Sequence, residues 1–170
     1  FKKQPKEERI ATVPYHTFWA WEYYKFGYQG AGFLWFGLPQ PLLVRDFDRW
    51  NPNNENFYWE IAHAVYSNDH EKVEQVLSKY RVSWLIIDQN TISPDTPQTL
   101  YYEKIKTLFD KSQMIRETQR FGNIVVYRVE LPGNTKSFTY HDQAVPVSSV
   151  SVWNDYDQMF ADEGVYVSGS

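Results

Sequence analysis

The strongest constraint on the fold is a continuous apolar run, Val82–Asp88, which reads Val-Ser-Trp-Leu-Ile-Ile-Asp. A run of this kind without alternation is typical of a strand that is buried on both faces, in a sheet covered by helices. Segments with helical periodicity stand on both sides of it in the chain. The sequence therefore predicts an α/β fold: a small mixed sheet with helices packed over it, aromatic-rich N-terminal loops and an irregular, β-rich C-terminal tail.

Two predicted helices precede the run. The first covers Glu55–Tyr66, with Asn53 or Asn54 as its N-cap. The second follows Asn68 and ends near Arg81, with Glu71 placed like the acid of a capping box. Their apolar residues recur at helical spacing: Phe57, Ile61, Ala64 and Val65 in the first, Val73, Val76, Leu77 and Tyr80 in the second.

A third helix is predicted after the run. Thr96 is its expected N-cap, and Pro97 occupies its first position, where proline is favoured. Its buried face is expected to carry Tyr101, Ile105, Leu108 and Phe109.

Short strands complete the predicted sheet. Arg9–Val13 alternates weakly and stops at Pro14, which cannot donate to a ladder. Met114–Gln119 and Ile124–Glu130 form a hairpin through Phe121-Gly122-Asn123. Ala144–Val147 and Val150–Val152 are expected as edge strands.

Aromatic residues make up 18% of the chain and concentrate between Tyr15 and Phe36. Glycines and prolines interrupt the segment up to Arg45, so neither a helical nor a strand period survives over a long window. We expect compact loops with short regular pieces here. Whether these rings are core or binding surface is open from the sequence.

Composition excludes several classes of protein. The net charge of -4 and the scattered basic residues disfavour nucleic-acid binding. There is no cysteine, and no apolar stretch approaches the length of a membrane span. The common nucleotide, hydrolase and metalloprotease motifs are absent, and the histidines lack ligand spacing, so we expect neither a cofactor nor a metal.

The chain is expected to have three parts. Residues 1–8 are a stem from an upstream segment, since the chain begins with Phe1 and shows no signal peptide. Residues 9–130 form the α/β domain. Residues 131–170 are a C-terminal extension, predicted to pack on the same domain.

The densest polar cluster runs from Arg45 to Glu55, and it has two interpretations. In the functional one, Asp46 or Asp48 works with Glu55 as acid and base, or as ligands for a hard cation. In the structural one, Arg45 and Arg49 close local ion pairs with the aspartates, and an asparagine caps the next helix. Trp50 belongs to the same cluster.

Three further acids are candidates. Glu22 and Glu60 stand among aromatic residues, where burial raises a carboxyl pKa; the competing interpretation is a buried carboxyl bonded to a tyrosine hydroxyl or an indole N–H. Asp88 ends the strongest strand, where open α/β sheets bind ligands, but an aspartate there also starts a turn. Trp35 is a candidate ligand-stacking ring.

The order of segments resembles a known family. Gly37-Leu38-Pro39, an Asn-rich turn, Leu77-Ser78-Lys79-Tyr80 before an apolar strand ending in Asp88, and a closing Val125-Val126-Tyr127-Arg128-Val129 follow one another. This resembles the soluble extracytoplasmic domain that follows the transmembrane helices in membrane proteins of the GT-C glycosyltransferase type. The resemblance implies a domain on the extracytoplasmic face, without its own catalytic centre. Its partner would be the transmembrane part of the same polypeptide, with a glycan or lipid-linked sugar as ligand.

Three hypotheses follow for the function. The first is a soluble accessory domain that covers or assists a membrane-embedded site in a glycosyltransferase-like protein. The second is a glycan-binding module that uses exposed aromatic rings. The third is a glycoside hydrolase built on Asp46, Asp48, Glu22 or Glu55.

Overall fold

The computed structural model describes residues 1–13, 21–30, 34–45, 50–93, 100–132, 144–147 and 165–168; for Trp35 and the last two segments it describes the backbone only. Pro14, the expected cap at Thr96–Pro97 and the expected strand Val150–Val152 lie outside these residues. The chain divides into two compact units, Phe1–Pro132 and Gly133–Ser170.

The described strands are β1 (Arg9–Thr12), β2 (Glu22–Tyr24), β3 (Gln29–Gly30), β4 (Leu42–Leu43), β5 (Val82–Asp88), β6 (Thr91–Ile92), β7 (Ile115–Phe121), β8 (Ile124–Val129), β9 (Ala144–Val147) and β10 (Val165–Ser168). The described helices are α1 (Pro52–Tyr66), α2 (His70–Lys79) and α3 (Tyr102–Lys111), with a short 3-10 turn at Leu34–Phe36. The mixed α/β class predicted from the sequence is confirmed.

The first unit is built on a five-stranded sheet in the order β4-β1-β5-β8-β7. β1 runs parallel to both β4 and β5, whereas β8 is antiparallel to β5 and to β7. The apolar run that dominates the sequence is thus the central strand. It is paired on both sides, and most of its residues are buried.

One face of this sheet is covered by the three helices. Leu85 of β5 lies opposite Tyr127 of β8, and the Tyr127 ring meets Phe109 of α3 at 5.1 Å between centroids. We call this side the helix-covered face. The side chains that are less than 2% exposed include Phe57, Leu77, Leu85, Ile87, Ile105, Leu108 and Phe109.

The opposite face carries the N-terminal stem. Trp84 of β5 lies opposite Arg128 of β8, and both side chains contact Glu8, which immediately precedes β1. We call this side the stem-covered face.

Both predicted caps of the first two helices are wrong by one to three residues. α1 begins at Pro52, and Asn51 rather than Asn53 or Asn54 caps it, with its side chain accepting from the Asn53 N–H. Asn51 combines a favoured N-cap residue with a proline at the first helical position. This combination favours Asn51 over Asn53 and Asn54 as the cap.

α2 is capped by Asp69, whose carboxylate accepts the Lys72 N–H at 3.1 Å. Asn68, the predicted cap, instead takes a left-handed conformation with φ of 58°. Asparagine tolerates that conformation better than aspartate or most other residues, which explains the exchange of roles.

α3 begins at Tyr102, later than the predicted start at Pro97. Tyr101 stands at its N-cap with φ of 32°, and its ring is exposed instead of buried. Tyr102 takes the predicted buried place beside Ile105 and Leu108. The helix therefore starts about one turn later than the proline signal indicates.

Two short hairpins flank the end of β5. The β7–β8 hairpin turns through Gly122 and Asn123, as predicted, and Gly122 has φ of +59°. β2 and β3 form a second hairpin around Gly27, whose φ is +89°. β2 also pairs with β6, the two-residue strand after β5.

In the unit Gly133–Ser170, β9 and β10 pair in parallel. β9 matches the predicted edge strand Ala144–Val147. β10 was not predicted. The predicted packing of this extension on the α/β domain stays a prediction.

Candidate functional site

The carboxyl ends of β1, β4 and β5 meet at one edge of the sheet, because the three strands are parallel neighbours. Val13, Val44–Arg45 and Asp88 stand at these ends. Ligand sites of open α/β sheets form at such an edge. It is therefore the natural place to look for chemistry.

Arg45 is the centre of the polar cluster predicted from the sequence. Its side chain is 9% exposed, and its Nε donates to Glu55 Oε2 at 2.6 Å. The guanidinium lies 4.3 Å from the centroid of the Tyr58 ring and 5.2 Å from that of Trp59. The Trp59 Nε1–H donates to the other Glu55 oxygen at 2.8 Å.

This arrangement stabilises the start of α1. Glu55 lies in the first turn of the helix, where a carboxylate also interacts favourably with the helix dipole. Both of its oxygens accept hydrogen bonds. Arg45 does form an ion pair, as the structural interpretation predicts, but its partner is Glu55 and not the aspartate that was expected.

An apolar cavity of about 30 Å³ lies next to this ion pair. Tyr58 belongs to both, and burial raises its pKa even though Arg45 acts in the opposite direction. Tyr66 and Tyr101 stand at the mouth, with ring centroids 5.6 Å apart and each ring 58% exposed. The remaining lining residues are Val13, Ile61, Ala62, Val65, Leu100 and Ile105.

Sequence reasoning missed this cavity. Its lining has no carboxylate, so it offers van der Waals contact and tyrosine hydroxyls but no acid–base pair. The helical spacing of Ile61 and Val65 was visible in the sequence. The cavity is also lined by Leu100 and Tyr101, which follow β5 in the chain. No local pattern brings these segments together.

Asp88 terminates β5 and is half-buried. Its Oδ1 accepts the backbone N–H and the side-chain Nδ2–H of Asn90, at 2.9 and 2.8 Å. Its backbone carbonyl accepts from the Thr91 hydroxyl and from the Tyr102 hydroxyl, at 2.8 and 2.7 Å. Asp88 thus forms the turn after the strand, as its structural interpretation predicts.

Tyr102 ties this turn to α3. The hydroxyls of Tyr102 and Thr91 lie 2.5 Å apart. Burial, followed by the charges of Asp88 and Glu22, raises the pKa of Tyr102. The phenol is therefore neutral and acts as a hydrogen-bond donor at this corner of the fold.

Glu22 lies on β2 near the same corner and is 6% exposed. Its Oε2 accepts the Tyr24 hydroxyl at 2.5 Å. Glu60 is a second buried carboxyl, 2% exposed, and its Oε1 accepts the Lys79 ammonium and the Tyr80 hydroxyl, both at 2.8 Å. Bonds from tyrosine hydroxyls are what the structural interpretation predicts for both acids.

The remaining predicted residues are placed as follows. Trp50 is 83% exposed just before the cap of α1. Trp35 lies in the 3-10 turn, with only its backbone described. Asp46, Asp48 and Arg49 lie outside the described residues, so their assignment to a site stays a prediction. In the described part of the chain, no group of three or more His, Asp or Glu residues is placed to hold a metal ion.

A second cluster, on the stem-covered face, was also missed. Glu8 Oε2 accepts the Trp84 Nε1–H at 2.6 Å and the Arg128 guanidinium at 2.7 Å. The guanidinium also lies 4.6 Å from the Trp84 ring centroid, and Phe1 meets the same ring edge-on at 5.5 Å. The bond from Arg128 is the main reason why the pKa of Glu8 is lowered.

Gln40 holds the beginning of the stem. Its side chain is 4% exposed, and its Nε2–H group donates to the carbonyls of Phe1, Gln4 and Pro5 at 2.8, 3.3 and 3.5 Å. The sequence contains no local signal for these contacts, because their partners are 35 to 39 residues apart.

No protein-family model matches the sequence, and no curated protein is significantly similar to it. Among solved structures, the chain is similar to the C-terminal globular domain of an oligosaccharyltransferase from Archaeoglobus fulgidus. The identity is 11% and the TM-score 0.40, over 75% of this chain and 88% of that one.

Within the described residues, none of the helices has the length and apolar character needed to cross a bilayer.

Proposed function

We propose that this chain is a water-exposed accessory domain of a membrane-bound, glycosyltransferase-like protein, placed on the extracytoplasmic face. In this role it covers or assists a membrane-embedded site and has no catalytic centre of its own. Its partner is the transmembrane part of the same polypeptide, with a glycan or lipid-linked sugar as the ligand of the assembly. The order of segments in the sequence supports the glycosyltransferase part of this proposal.

The docked stem is the observation that carries the rest. A flexible tether would leave residues 1–8 free of the domain, and the domain would then take many orientations. Here Gln40 binds the first residues of the stem, and Glu8 binds Trp84 and Arg128 of the central strands. The stem from Phe1 to Glu8 is therefore held at a defined place on the domain, as an accessory domain of a larger assembly requires.

The contacts of the described acids support an assisting role. A glycosidase needs two carboxyls about 5 to 9.5 Å apart that are available to the substrate. Glu55 is bonded to Arg45 and Trp59, and Glu60 to Lys79 and Tyr80. Both acids are therefore engaged in bonds within the fold, which is the role of a structural carboxylate.

The test of placement uses the absence of cysteine in this chain. Lys111 is exposed at the end of α3, so Lys111→Cys introduces one reactive thiol at the domain surface. We expect the protein to sediment with membranes in the cells that produce it. We also expect a membrane-impermeant maleimide to label the variant in intact cells, with the parent protein as background.

Two results would contradict this placement. Recovery of the protein in the soluble fraction would remove the membrane-bound part of the proposal. Labelling that requires cell lysis would place the domain on the cytoplasmic side.

A glycan-binding module is the second candidate, and Trp50 favours it. Its side chain is 83% exposed, and Trp21 is 49% exposed, as the stacking of sugar rings on aromatic faces requires. A panel of soluble oligosaccharides should then protect tryptophan fluorescence from acrylamide quenching. Loss of that protection in Trp50→Ala, but not in the control Phe36→Ala, would favour this candidate; no protection in the parent protein would remove it.

A further inference from the structure

The apolar cavity beside α1 is built from parts of the chain that are distant in sequence. Val13 follows β1 at the carboxyl edge of the parallel strands, Ala62 and Val65 belong to α1, and Ile105 belongs to α3. None of the described residues that line the cavity carries a charge. Such a lining offers few hydrogen bonds to water, so it favours an apolar occupant.

The mouth of the cavity carries a tyrosine in a strained conformation. Tyr101 has φ of 32° and ψ of 30° at the N-cap of α3, where its side chain makes no capping hydrogen bond. A bulky residue rarely adopts this left-handed conformation, and strain of this kind concentrates at binding sites. The core does not use the Tyr101 ring, since Tyr102 takes the buried place and Tyr101 is 58% exposed. The strained backbone instead places the ring against Tyr66 at the mouth.

The size of the cavity limits what can enter it. Its volume is about 30 Å³, and one water-sized group needs at least about 10–15 Å³, so there is room for about two or three carbon-sized groups. The branched end of a valine or leucine side chain has this size, whereas an aromatic ring is too large. A free molecule of three carbons would bind with a dissociation constant on the order of millimolar at best. The occupant is therefore retained only as part of a larger contact.

We propose that this cavity is an anchor pocket for a partner polypeptide, which inserts the branched end of one valine or leucine side chain past Tyr66 and Tyr101. Tyrosine suits the rim of such a contact, because its ring offers apolar surface and its hydroxyl offers a hydrogen bond to the partner's backbone. One side chain that fills a desolvated pocket carries a large share of the binding free energy of an interface. The inference goes beyond the proposed function and does not depend on placement at a membrane.

Titration of the purified 170-residue chain with blocked amino acids, followed by NMR, tests the pocket. The probes are the N-acetyl N-methylamides of leucine, valine, phenylalanine and glycine, together with 3-methylbutan-1-ol. We expect the leucine and valine probes to shift the methyl signals of Ala62, Val65 and Ile105 saturably, with dissociation constants on the order of millimolar. The glycine and phenylalanine probes should bind at least about tenfold more weakly, since one lacks the side chain and the other exceeds the cavity.

Variants of the lining locate the binding. Ala62→Leu fills the cavity from α1, so the affinity for the leucine probe should fall at least about tenfold. Asn53→Leu adds the same side chain at an exposed position in the first turn of α1 and should bind like the parent chain. Tyr101→Gly removes the rim ring and the backbone strain together, and should weaken binding about fivefold. Circular dichroism and urea unfolding confirm that each variant is folded.

Three results would overturn the proposal. The first is the absence of a saturable shift with the leucine and valine probes. The second is equal binding of the leucine probe to Ala62→Leu and to the parent chain, which would place the probe outside the cavity. The third is binding of 3-methylbutan-1-ol as tight as that of the leucine probe, which has the same branched end, because the peptide groups would then contribute nothing. Membrane sedimentation and maleimide labelling in cells are independent of these results.

Discussion

On the helix-covered face of the five-stranded sheet, Leu85 is fully buried among aliphatic and aromatic side chains, whereas on the stem-covered face its chain neighbour Trp84 donates a hydrogen bond to Glu8. Each face also has a glutamate with a cationic partner: Glu60 with Lys79, and Glu8 with Arg128. The helix-covered face is closed by apolar contact, and the stem-covered face by polar bonds to a segment that precedes the domain.

The surroundings of the two glutamates shift the pKa values of their carboxyl groups in opposite directions. Burial is the largest influence on Glu60 and raises its pKa, although Lys79 and Tyr80 act in the opposite direction. The bond from Arg128 is the largest influence on Glu8 and lowers its pKa. An ion pair inside the helix layer thus fails to offset desolvation, while one at the sheet surface does. The bond between Glu8 and Arg128, which holds the stem, is therefore strongest when the Glu8 carboxyl is ionised.

The largest expected effect is at Leu85. Leu85→Ala removes a side chain with 0% exposure at the centre of β5, so the free energy of unfolding should fall by about 2–5 kcal/mol. Urea unfolding followed by circular dichroism measures it. Gln119→Ala, at an exposed position of β7, is the control and should change little. A loss below about 1 kcal/mol at Leu85 would mean that the helix-covered face is not the main core.

Removal of the Gln40 side chain should release the stem while the core remains folded. The buried amide holds the Phe1 carbonyl at 2.8 Å, so Gln40→Ala should weaken stem docking by about 1–3 kcal/mol. We expect trypsin to cleave after the exposed residues Lys3 and Lys6 about tenfold faster, measured by mass spectrometry.

The same Gln119→Ala variant serves as the control for the stem. Equal cleavage in the parent and in Gln40→Ala would show that the stem is held by other contacts, and the fixed orientation used in the proposed function would lose its basis.

The pH dependence should have opposite signs for the two glutamates. The folded pKa of Glu60 is raised, so its contribution is fully present below its ordinary value of 4.5 and is lost as the pH rises through the folded value. The folded pKa of Glu8 is lowered, so its contribution is present above 4.5 and is lost as the pH falls through the folded value.

Glu60→Gln and Glu8→Gln, each compared with the parent chain by urea unfolding across acid and neutral pH, measure these two contributions. The parent should exceed Glu60→Gln in free energy of unfolding by an amount that shrinks as the pH rises. It should exceed Glu8→Gln by an amount that shrinks as the pH falls. Differences that move in the same direction would remove the contrast between the two faces.

The smallest expected effect is at Arg81, between α2 and β5. Arg81 has φ of 53°, a conformation that glycine adopts without strain. Arg81→Gly should raise the free energy of unfolding by about 0.5–1 kcal/mol. Arg81→Ala is the matched control, since it also removes the Arg81 charge, which after burial is the second cause of the lowered pKa of Arg9, but keeps the backbone strain. Equal gains in both variants would assign the effect to charge.

The fold was largely predictable where the signal is local. The Val82–Asp88 strand, the β7–β8 hairpin and the three helices follow from the periodicity of apolar residues, which acts over one or two turns. The caps at Asn51 and Asp69 were missed because several adjacent Asn and Asp residues compete, and only the exact helix start selects one. Tyr102 is buried in place of Tyr101 because the exact helix start also decides which of two adjacent tyrosines faces the core.

The candidate site was predictable only in part. The hydrogen bond from the Tyr24 hydroxyl to Glu22 joins residues two apart and follows from the aromatic surroundings. Arg45 comes from 10 residues before Glu55, the partners of Glu60 come from 19 and 20 residues away, and those of Glu8 from 76 or more. Their residue types were visible in the sequence, but not which donor each carboxylate would meet.

The sequence by itself determined the class of fold, because burial of an apolar strand and of amphipathic helices depends on spacing along the chain. The tertiary structure alone decided which groups meet: the stem on Trp84, the tyrosines around the cavity, and the β2–β3 and β7–β8 turns on Asn90. Such contacts depend on the pairing of strands distant in sequence, and each is set by the geometry of the whole sheet. No local pattern encodes them.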